Sequence, residues 1–153
     1  MGRTRRTVGV EPPYGGRRLL IDKSAYVRAG APAVRDEWAA AIRNGQLLGS
    51  PFLTVEALYS ARDVDEFRAL EARIGVLPRV SPATRTYDLA IRALRDLCAA
   101  RPHSHRLPAA DVLIAALAHE ARVGVLHYDA HYDRLAEVLE FESRWIAPPG
   151  SID

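Results

Sequence analysis

Short apolar runs alternate with longer amphipathic segments along most of this chain. A run of about five apolar residues bounded by polar or turn-forming residues is typical of a buried strand. Five segments fit this description: RLLID, QLLGS, GVLPRV, VGVLHYD and ESRWIA. Because helical patterns lie between them, the strands are joined by crossovers. We therefore predict an α/β fold, a central and mainly parallel sheet of about five strands flanked by helices.

Two of the helical segments carry clear boundary signals. Ser50 followed by Pro51 is typical of a capping residue and the first helical position. Asp63, with Glu66 three positions later, has the spacing of a capping box, and Gly75 closes the same segment. These signals predict helices that begin at residues 51 and 64.

Two later helices differ in their apolar pattern. The segment PAADVLIAALAHEAR is apolar on most faces, so we expect it to lie buried between the sheet and another helix. The segment SPATRTYDLAIRALRDLCAARP has a single stripe at helical spacing, which we predict to face the core. The stripe consists of Tyr87, Ile91, Leu94 and Cys98.

Four acidic residues interrupt the apolar segments: Asp22, Glu56, Asp111 and Asp129. Their apolar neighbours predict that they converge in one partly buried cleft, and Asp22 and Asp129 close predicted strands, where parallel sheets bind ligands. Carboxylates gathered away from water repel one another and lose hydration. Either some of them stay protonated or a divalent cation neutralises them, which indicates a Mg²⁺ or Mn²⁺ site.

Each of these acids also has a structural explanation. Asp22 and Asp129 precede helices and would cap them. Asp111 lies in the first turn of its helix, where an anion gains about 0.3 to 1 kcal/mol from the helix dipole. Asp133 lies one turn into the last helix, so it either joins the site or favours the positive end of that helix. Taken together, the acids favour a site over a set of caps.

Composition limits the class of protein. The chain has 153 residues, 48% of them hydrophobic, which suits one compact domain. A single cysteine excludes an internal disulfide and favours a reducing compartment. No apolar run is long enough to span a membrane, and the first residues lack the apolar core of a signal peptide. We expect a cytoplasmic protein that does not contact a membrane.

The first residues differ from the rest in charge. Residues 1–18 hold five arginines and one glutamate, although the whole chain carries a formal charge of only +2. We predict a basic, flexible segment over residues 1–17 and a folded domain over residues 18–153. The segment is either a disordered leader or an arm that contacts a nucleic-acid backbone.

The acids and their surroundings resemble those of the PIN-domain ribonucleases, specifically the VapC-type toxins of toxin-antitoxin pairs. The resemblance covers about residues 18 to 151 and includes the C-terminal RWIAPPGS. Its motifs are LLIDKSA, LTVEAL, LPAADVLIAALA and VLHYDAHYDRLAEV. It implies a PIN-like parallel α/β domain, RNA cleavage that depends on Mg²⁺ or Mn²⁺, a homodimer, and a small cognate antitoxin that blocks the cleft.

The resemblance also implies roles for individual residues. Asp22, Glu56, Asp111 and Asp129 correspond to the acidic quartet of the family. Within it, the three aspartates are expected to hold metal, and Glu56 to position a water or act as general base. Ser24 corresponds to the family's hydroxyl residue after the first aspartate. Secondary candidates for the site are Ser24, Glu56, His131 and Asp133.

Two positions depart from the family pattern. Lys23 stands where many relatives have a small polar residue, and it either contacts phosphate or faces solvent. His131 stands where the family often has a second acid, which leaves open how a second metal is held. Basic residues expected near the cleft are candidates for RNA contacts. They are Lys23, Arg79, Arg101 and Arg106.

Two other functions fit parts of the sequence. On an extended segment, His127, Asp129 and His131 would alternate onto one side, as ligands of zinc or another transition metal in a different class of hydrolase. Alternatively, the acids form a non-catalytic regulatory site that binds a basic, arginine-bearing peptide.

Overall fold

A parallel sheet forms the centre of the molecule in the computed structural model, which describes residues 9–153. Strands β1 (Leu19–Ile21), β2 (Leu47–Leu48), β3 (Gly124–His127) and β4 (Ser143–Trp145) lie in the spatial order β2-β1-β3-β4. All three neighbouring pairs are parallel. The predicted α/β class and parallel sheet are confirmed.

Helices connect the strands and cover both faces of the sheet. A short 3-10 helix, Pro13–Gly16, precedes β1. The α-helices, in chain order, are α1 (Lys23–Tyr26), α2 (Arg35–Arg43), α3 (Pro51–Tyr59), α4 (Val64–Gly75), α5 (Thr84–Ala100), α6 (Ala109–Ala121) and α7 (His131–Leu135).

The predicted number of strands is wrong by one, because GVLPRV does not form a strand. In the described residues its only ladder-like pairing is an isolated parallel bridge between Gly49 and Arg79. Two backbone hydrogen bonds hold the segment there, from Gly49 N–H to the Pro78 carbonyl and from Val80 N–H to the Gly49 carbonyl. Pro78 has no N–H to donate, so a regular ladder cannot continue through it.

The predicted helix starts at residues 51 and 64 are confirmed. Ser50 accepts a hydrogen bond from the Leu53 N–H at 3.2 Å, and Pro51 occupies the first turn. Asp63 accepts one from the Glu66 N–H at 2.8 Å. Each cap satisfies a backbone donor that the first turn of a helix leaves free.

The first residue of β3 is a glycine because two neighbours leave no room for a side chain. A Cβ on Gly124 would lie 2.6 Å from Leu19 Cδ2 and 2.9 Å from the Glu142 carbonyl oxygen. Gly124 pairs with Leu19 in the ladder and fixes its register. This register places the carboxyl ends of β1 and β3 side by side.

Helix α6 is buried between the sheet and α5, as its apolar pattern predicts. Its side chains from Ile114 to Ala118 are almost fully inaccessible to solvent. It packs along α5 on one side and against β1 and β3 on the other. Because the whole helix is immobilised by packing, a polar residue at its start is held in a fixed position.

The predicted core stripe of α5 is wrong for three of its four residues, and Leu94 alone is partly buried against the core. Tyr87 and Ile91 are 46% and 57% exposed, and Cys98 is exposed as well. The face of α5 that packs inward carries smaller side chains instead: Thr86, Leu89, Ala90, Ala93 and Leu97. The alanines on this face let α6 approach closely, so the larger side chains are left on the outer surface.

The N-terminal prediction concerns residues that are only partly described. Residues 1–8 lie outside the described part of the chain, so the basic segment is described only from residue 9 onward. Within that part, Tyr14 is buried in the core and its backbone N–H donates to Glu37 at 3.0 Å. None of the helices in residues 9–153 is long and apolar enough to cross a membrane.

Candidate active site

The carboxyl end of β1 places Asp22 at the centre of the site. Asp22 is buried and caps α1, where its Oδ2 accepts hydrogen bonds from the backbone N–H and the hydroxyl of Ser24. Its other oxygen, Oδ1, accepts the hydroxyl proton of the buried Tyr132 at 2.7 Å. Both oxygens are therefore fixed in direction by the protein.

Asp111, in the first turn of α6, is buried beside Asp22. Burial, together with the negative charge of Asp22, raises the pKa of Asp111 to about 6. The His131 ring opposes this shift, because its Nδ1 lies 2.8 Å from Asp111 Oδ2. At neutral pH this carboxylate is thus held ionised in a place that disfavours its charge.

Asp129 and His131 complete this side of the site. Asp129 follows the end of β3, and its Oδ1 accepts the backbone N–H of His131 at 2.9 Å. His131 Nδ1 lies 3.1 Å from the same oxygen. The imidazole of His131 therefore lies between the carboxylates of Asp111 and Asp129.

Glu56 reaches the cleft from α3. Burial raises the pKa of Glu56, and the nearby charge of Asp22 raises it further, while Lys23 lowers it. Its Oε2 is buried and has no hydrogen-bond partner among the described residues. Lys23 directs its amine to the Ser60 hydroxyl at 2.5 Å, so it stays at the edge of the cleft.

Asp22, Glu56, Asp111 and Asp129 are called the acidic cluster below. The charge of Asp22 raises the pKa of both Glu56 and Asp111, and one buried oxygen lacks a donor among the described residues. Such a surplus of buried acceptors fits a hard divalent cation, which prefers carboxylate oxygens. The donor atoms of Asp111, Asp129 and His131 lie within 4.8 Å of one another. Asp22 is not a member of that set.

The secondary candidates Ser24 and Asp133 lie in different places. Ser24 is in the cleft, where its hydroxyl donates to Asp22 and accepts the Tyr128 N–H at 2.9 Å. Asp133 accepts hydrogen bonds from the Ser143 hydroxyl at 2.6 Å and from the Trp145 indole at 3.0 Å. Ser24 therefore orders the site, and Asp133 joins α7 to β4.

His127 links Asp133 to the acidic cluster. It is fully buried, and burial lowers its pKa to about 4, so it is neutral. Its Nδ1 accepts the backbone N–H of Asp129 at 3.1 Å, which leaves the proton on Nε2 to be donated to Ser143 at 2.7 Å. We call His127, Ser143, Asp133 and Trp145 the C-terminal polar network.

This geometry separates the residues of the proposed zinc alternative. Strand β3 ends at His127, so the alternation that would bring His127 to the same side as Asp129 and His131 does not continue. Both ring nitrogens of His127 are engaged within the protein. The histidine pair therefore does not form a shared metal site.

The four basic candidates have different surroundings. Lys23 is close enough to Glu56 to affect its pKa. Arg79 is exposed beside the end of β2, and Arg106 is exposed in the loop before α6. Arg101 is held by Glu137 at 2.9 Å, an exposed ion pair that RNA would have to disrupt.

Three residues near the site were not identified from the sequence: Tyr132, His127 as a support of Asp129, and Arg28. Arg28 donates to the Ser24 carbonyl at 2.9 Å, and its guanidinium lies 4.4 Å from the centre of the Tyr128 ring. The spacing of Arg28 and Ser24, one helical turn, was the available signal. Arg28 thus places a positive charge beside Ser24.

A separate cavity of about 850 Å³ lies at the opposite edge of the sheet, beside Arg18, Gly124 and Glu142. Its lining mixes arginine and glutamate side chains, and Arg17 pairs with Glu142 at 3.6 Å. The charges there offset one another. Among the described residues, carboxyl groups with a raised pKa are found at the carboxyl edge of the sheet, which makes that edge the candidate site of chemistry.

Comparisons of this sequence with a family model and with individual known proteins agree on one family. Residues 19–138 match the PIN domain family. Ribonuclease VapC18 of Mycobacterium tuberculosis (strain ATCC 25618 / H37Rv) is 32% identical over 135 residues, which cover 88% of this chain and 98% of the relative. Ribonuclease VapC51 of the same strain is 31% identical over 136 residues, with coverage of 89% and 98%.

Solved structures show the same fold at lower identity. A chain of the crystal structure of DNA bound VapBC from Salmonella typhimurium has a TM-score of 0.67 at 13% identity, covering 86% of this chain and 99% of that one. A chain of FitAcB from Neisseria gonorrhoeae has a TM-score of 0.54 at 16% identity, covering 81% and 96%. The parallel sheet and its helices are thus shared beyond recognisable sequence similarity.

Proposed function

This chain belongs to the PIN-domain family and, within it, to the VapC ribonucleases, and from that premise we propose a divalent-metal-dependent endoribonuclease that acts as a toxin. The enzyme hydrolyses RNA phosphodiester bonds at the acidic cluster, and a cognate antitoxin inhibits it. One observation carries the proposal: four carboxylates from different elements converge at the carboxyl edge of the sheet with more negative charge than the protein compensates.

Asp22, Asp111 and Asp129 are the residues that would hold Mg²⁺, or Mn²⁺ in its place. When bound, the cation would polarise the scissile phosphate and lower the pKa of the attacking water. The carboxylates would be positioned before substrate arrives, because Tyr132 fixes Asp22 and His127 fixes the backbone of Asp129. Such preorganisation avoids rearrangement during the reaction.

Glu56 is suited to a different role from the aspartates. It lies on α3, and its raised pKa makes it a better proton acceptor than an ordinary glutamate. Its Oε2 has no donor among the described residues, so the oxygen is free to bind a water. We assign Glu56 to orienting the attacking water and accepting its proton.

The RNA would approach along the basic groups beside the cleft. Lys23 lies near Glu56, Arg28 contacts Ser24, and Arg79, Arg101 and Arg106 lie on exposed surface. Phosphate contacts of this kind position a strand without reading its sequence. Unpaired loops are the expected targets, because side chains cannot read the deep major groove of an RNA helix.

The proposed partners are a small VapB-type antitoxin and a second copy of this chain. The structural neighbours include VapBC assemblies. An arginine of an antitoxin would pair with the carboxylates of the acidic cluster and exclude a cation from it. Exposed Tyr87 and Ile91 on α5 supply apolar surface that a homodimer would bury. We propose that the toxin acts in the cytoplasm.

The test is cleavage of cellular RNA by the purified chain, with new 5′ ends mapped by sequencing. We expect defined cleavage sites that disappear with a chelator and return with Mg²⁺. Asp22→Asn and Glu56→Gln should each lower the cleavage rate by about a hundredfold or more, because each removes a charge that the transition state needs.

Asp36→Asn serves as the matched control, since Asp36 is an exposed acid at the start of α2. This variant should cleave RNA like the native chain. Persistent cleavage in chelator, or full activity in Asp22→Asn, would refute the metal-dependent mechanism. Binding of a basic peptide without any cleavage would favour the regulatory module instead.

A further inference from the structure

His131 occupies a position between two carboxylates where the family resemblance leads us to expect another acid. Its Nδ1 lies 2.8 Å from Asp111 Oδ2 and 3.1 Å from Asp129 Oδ1. Its ring is therefore the one nitrogen donor in a group that otherwise offers oxygen. The substitution changes both the charge and the chemistry of the site.

The two distances from His131 Nδ1 to the carboxylate oxygens match the separation of neighbouring ligands of one octahedral ion. With bonds of about 2.1 Å, adjacent ligands in an octahedral site are about 3 Å apart. Tetrahedral zinc with bonds of the same length would separate them by about 3.4 Å. The observed 2.8 and 3.1 Å are closer to the octahedral spacing.

Two contacts hold the His131 ring in this place. The backbone N–H of His131 donates to Asp129 at 2.9 Å, so the residue is fixed where α7 begins. The next residue, Tyr132, is fully buried, and its hydroxyl is anchored on Asp22 at 2.7 Å. The backbone at His131 is thus held by Asp129 and by the anchored Tyr132, and this places the ring beside the carboxylates.

Nitrogen ligation changes which cation a site prefers. Mg²⁺ strongly favours oxygen ligands and water, whereas imidazole suits first-row transition ions. A site with two carboxylates and one imidazole accepts Mn²⁺ more readily than a site made of carboxylates alone. We infer that His131 Nδ1 is a direct ligand of the bound cation and shifts the preference of this site from Mg²⁺ towards Mn²⁺.

This inference rests on the proposed function, because it concerns the same metal site. A different arrangement would give similar distances: the His131 ring could donate a hydrogen bond to the carboxylates and stay off the metal. In that arrangement the nitrogen would lie outside the coordination shell. The test must therefore detect the bond between metal and nitrogen and not activity alone.

The full chain loaded with Mn²⁺ provides that test by pulsed electron paramagnetic resonance, which detects ¹⁴N coordinated to the ion. We expect ¹⁴N coupling in the native chain and its loss in His131→Asp, which still binds Mn²⁺. Competition with Mg²⁺ measures the preference. The ratio of Mn²⁺ to Mg²⁺ affinity should fall about tenfold in His131→Asp.

His119→Asp is the matched control, because His119 lies near the far end of α6. It should keep both the ¹⁴N coupling and the affinity ratio. If ¹⁴N coupling is absent in the native chain, or equally strong in His131→Asp, the inference is wrong. The proposed function still stands in that case, provided that the chain cleaves RNA in a metal-dependent way. Mn²⁺ binding that is unchanged in Asp111→Asn would overturn both.

Discussion

The acidic cluster and the C-terminal polar network lie side by side at the same edge of the sheet, yet they are built on opposite principles. In the network, His127, Ser143 and Trp145 form a continuous series of donors and acceptors that ends on both oxygens of Asp133. In the cluster, the charge of Asp22 raises the pKa of Glu56 and Asp111, and Glu56 Oε2 has no donor among residues 9–153.

The difference between the two regions distinguishes residues that stabilise the fold from residues that are suited to bind a ligand. A satisfied polar network stabilises one arrangement, whereas a surplus of buried charge destabilises the fold unless a ligand compensates it. Asp129 of the acidic cluster connects the two regions, since its backbone N–H donates to His127 and its carboxylate faces His131. The network therefore helps to position the cluster but takes no part in the repulsion between its carboxylates.

Removing one charge from the acidic cluster should stabilise the metal-free protein. Asp111→Asn is expected to raise the free energy of unfolding by about 1 to 3 kcal/mol at pH 7 in chelator. The reason is that Asp111, with a pKa raised to about 6, is ionised there in a buried, negative setting. Denaturant unfolding followed by circular dichroism measures the change, and Asp36→Asn is the control.

The pH dependence of this difference follows from the direction of the shift. The folded state binds the Asp111 proton at a higher pH than the unfolded state, so acidification from pH 7 through pH 6 towards pH 4 stabilises the native chain relative to Asp111→Asn. Asp111→Asn lacks this gain, and the two proteins should converge in stability near pH 4. A difference independent of pH would contradict the assignment.

Breaking the C-terminal polar network should lower the free energy of unfolding, by less than Asp111→Asn raises it. Ser143→Ala removes the acceptor of His127 Nε2–H and a donor to Asp133. We expect a loss of about 1 kcal/mol in the free energy of unfolding. RNA cleavage at saturating metal should change only a fewfold, because no carboxylate of the cluster is altered.

Ser151→Ala is the matched control for that variant. Its hydroxyl makes one exposed hydrogen bond to the Pro148 carbonyl, so its removal should change stability by less than about 0.5 kcal/mol. If Ser143→Ala were as stable as this control but abolished cleavage, the division between the two regions would be wrong.

Local signals in the sequence predicted most of the fold. Capping by Ser50 and Asp63 depends on residues three positions away, and the structure confirms both. The strand ends placed Asp22 and Asp129 at one edge because parallel strands share a direction. Local patterns were sufficient wherever the contact lay within one element or one ladder.

Contacts between distant elements were less predictable. Periodicity identified an apolar stripe on α5 but not that α6 packs on the smaller-residue face, which left Tyr87 exposed. The sequence made Asp133 a candidate for the site, but in the structure both of its oxygens accept hydrogen bonds from Ser143 and Trp145 of β4. The bond from Tyr132 to Asp22 joins residues 110 positions apart, and no local pattern indicates it.

The most direct test of the account is the free energy of unfolding as Mg²⁺ is titrated, measured in parallel with RNA cleavage for the native chain and Asp111→Asn. The account predicts that Asp111→Asn is the more stable protein in chelator. It also predicts that Mg²⁺ stabilises only the native chain, over the same concentrations at which cleavage appears. Equal stabilisation of both proteins by Mg²⁺, or cleavage by Asp111→Asn at the native rate, would contradict it.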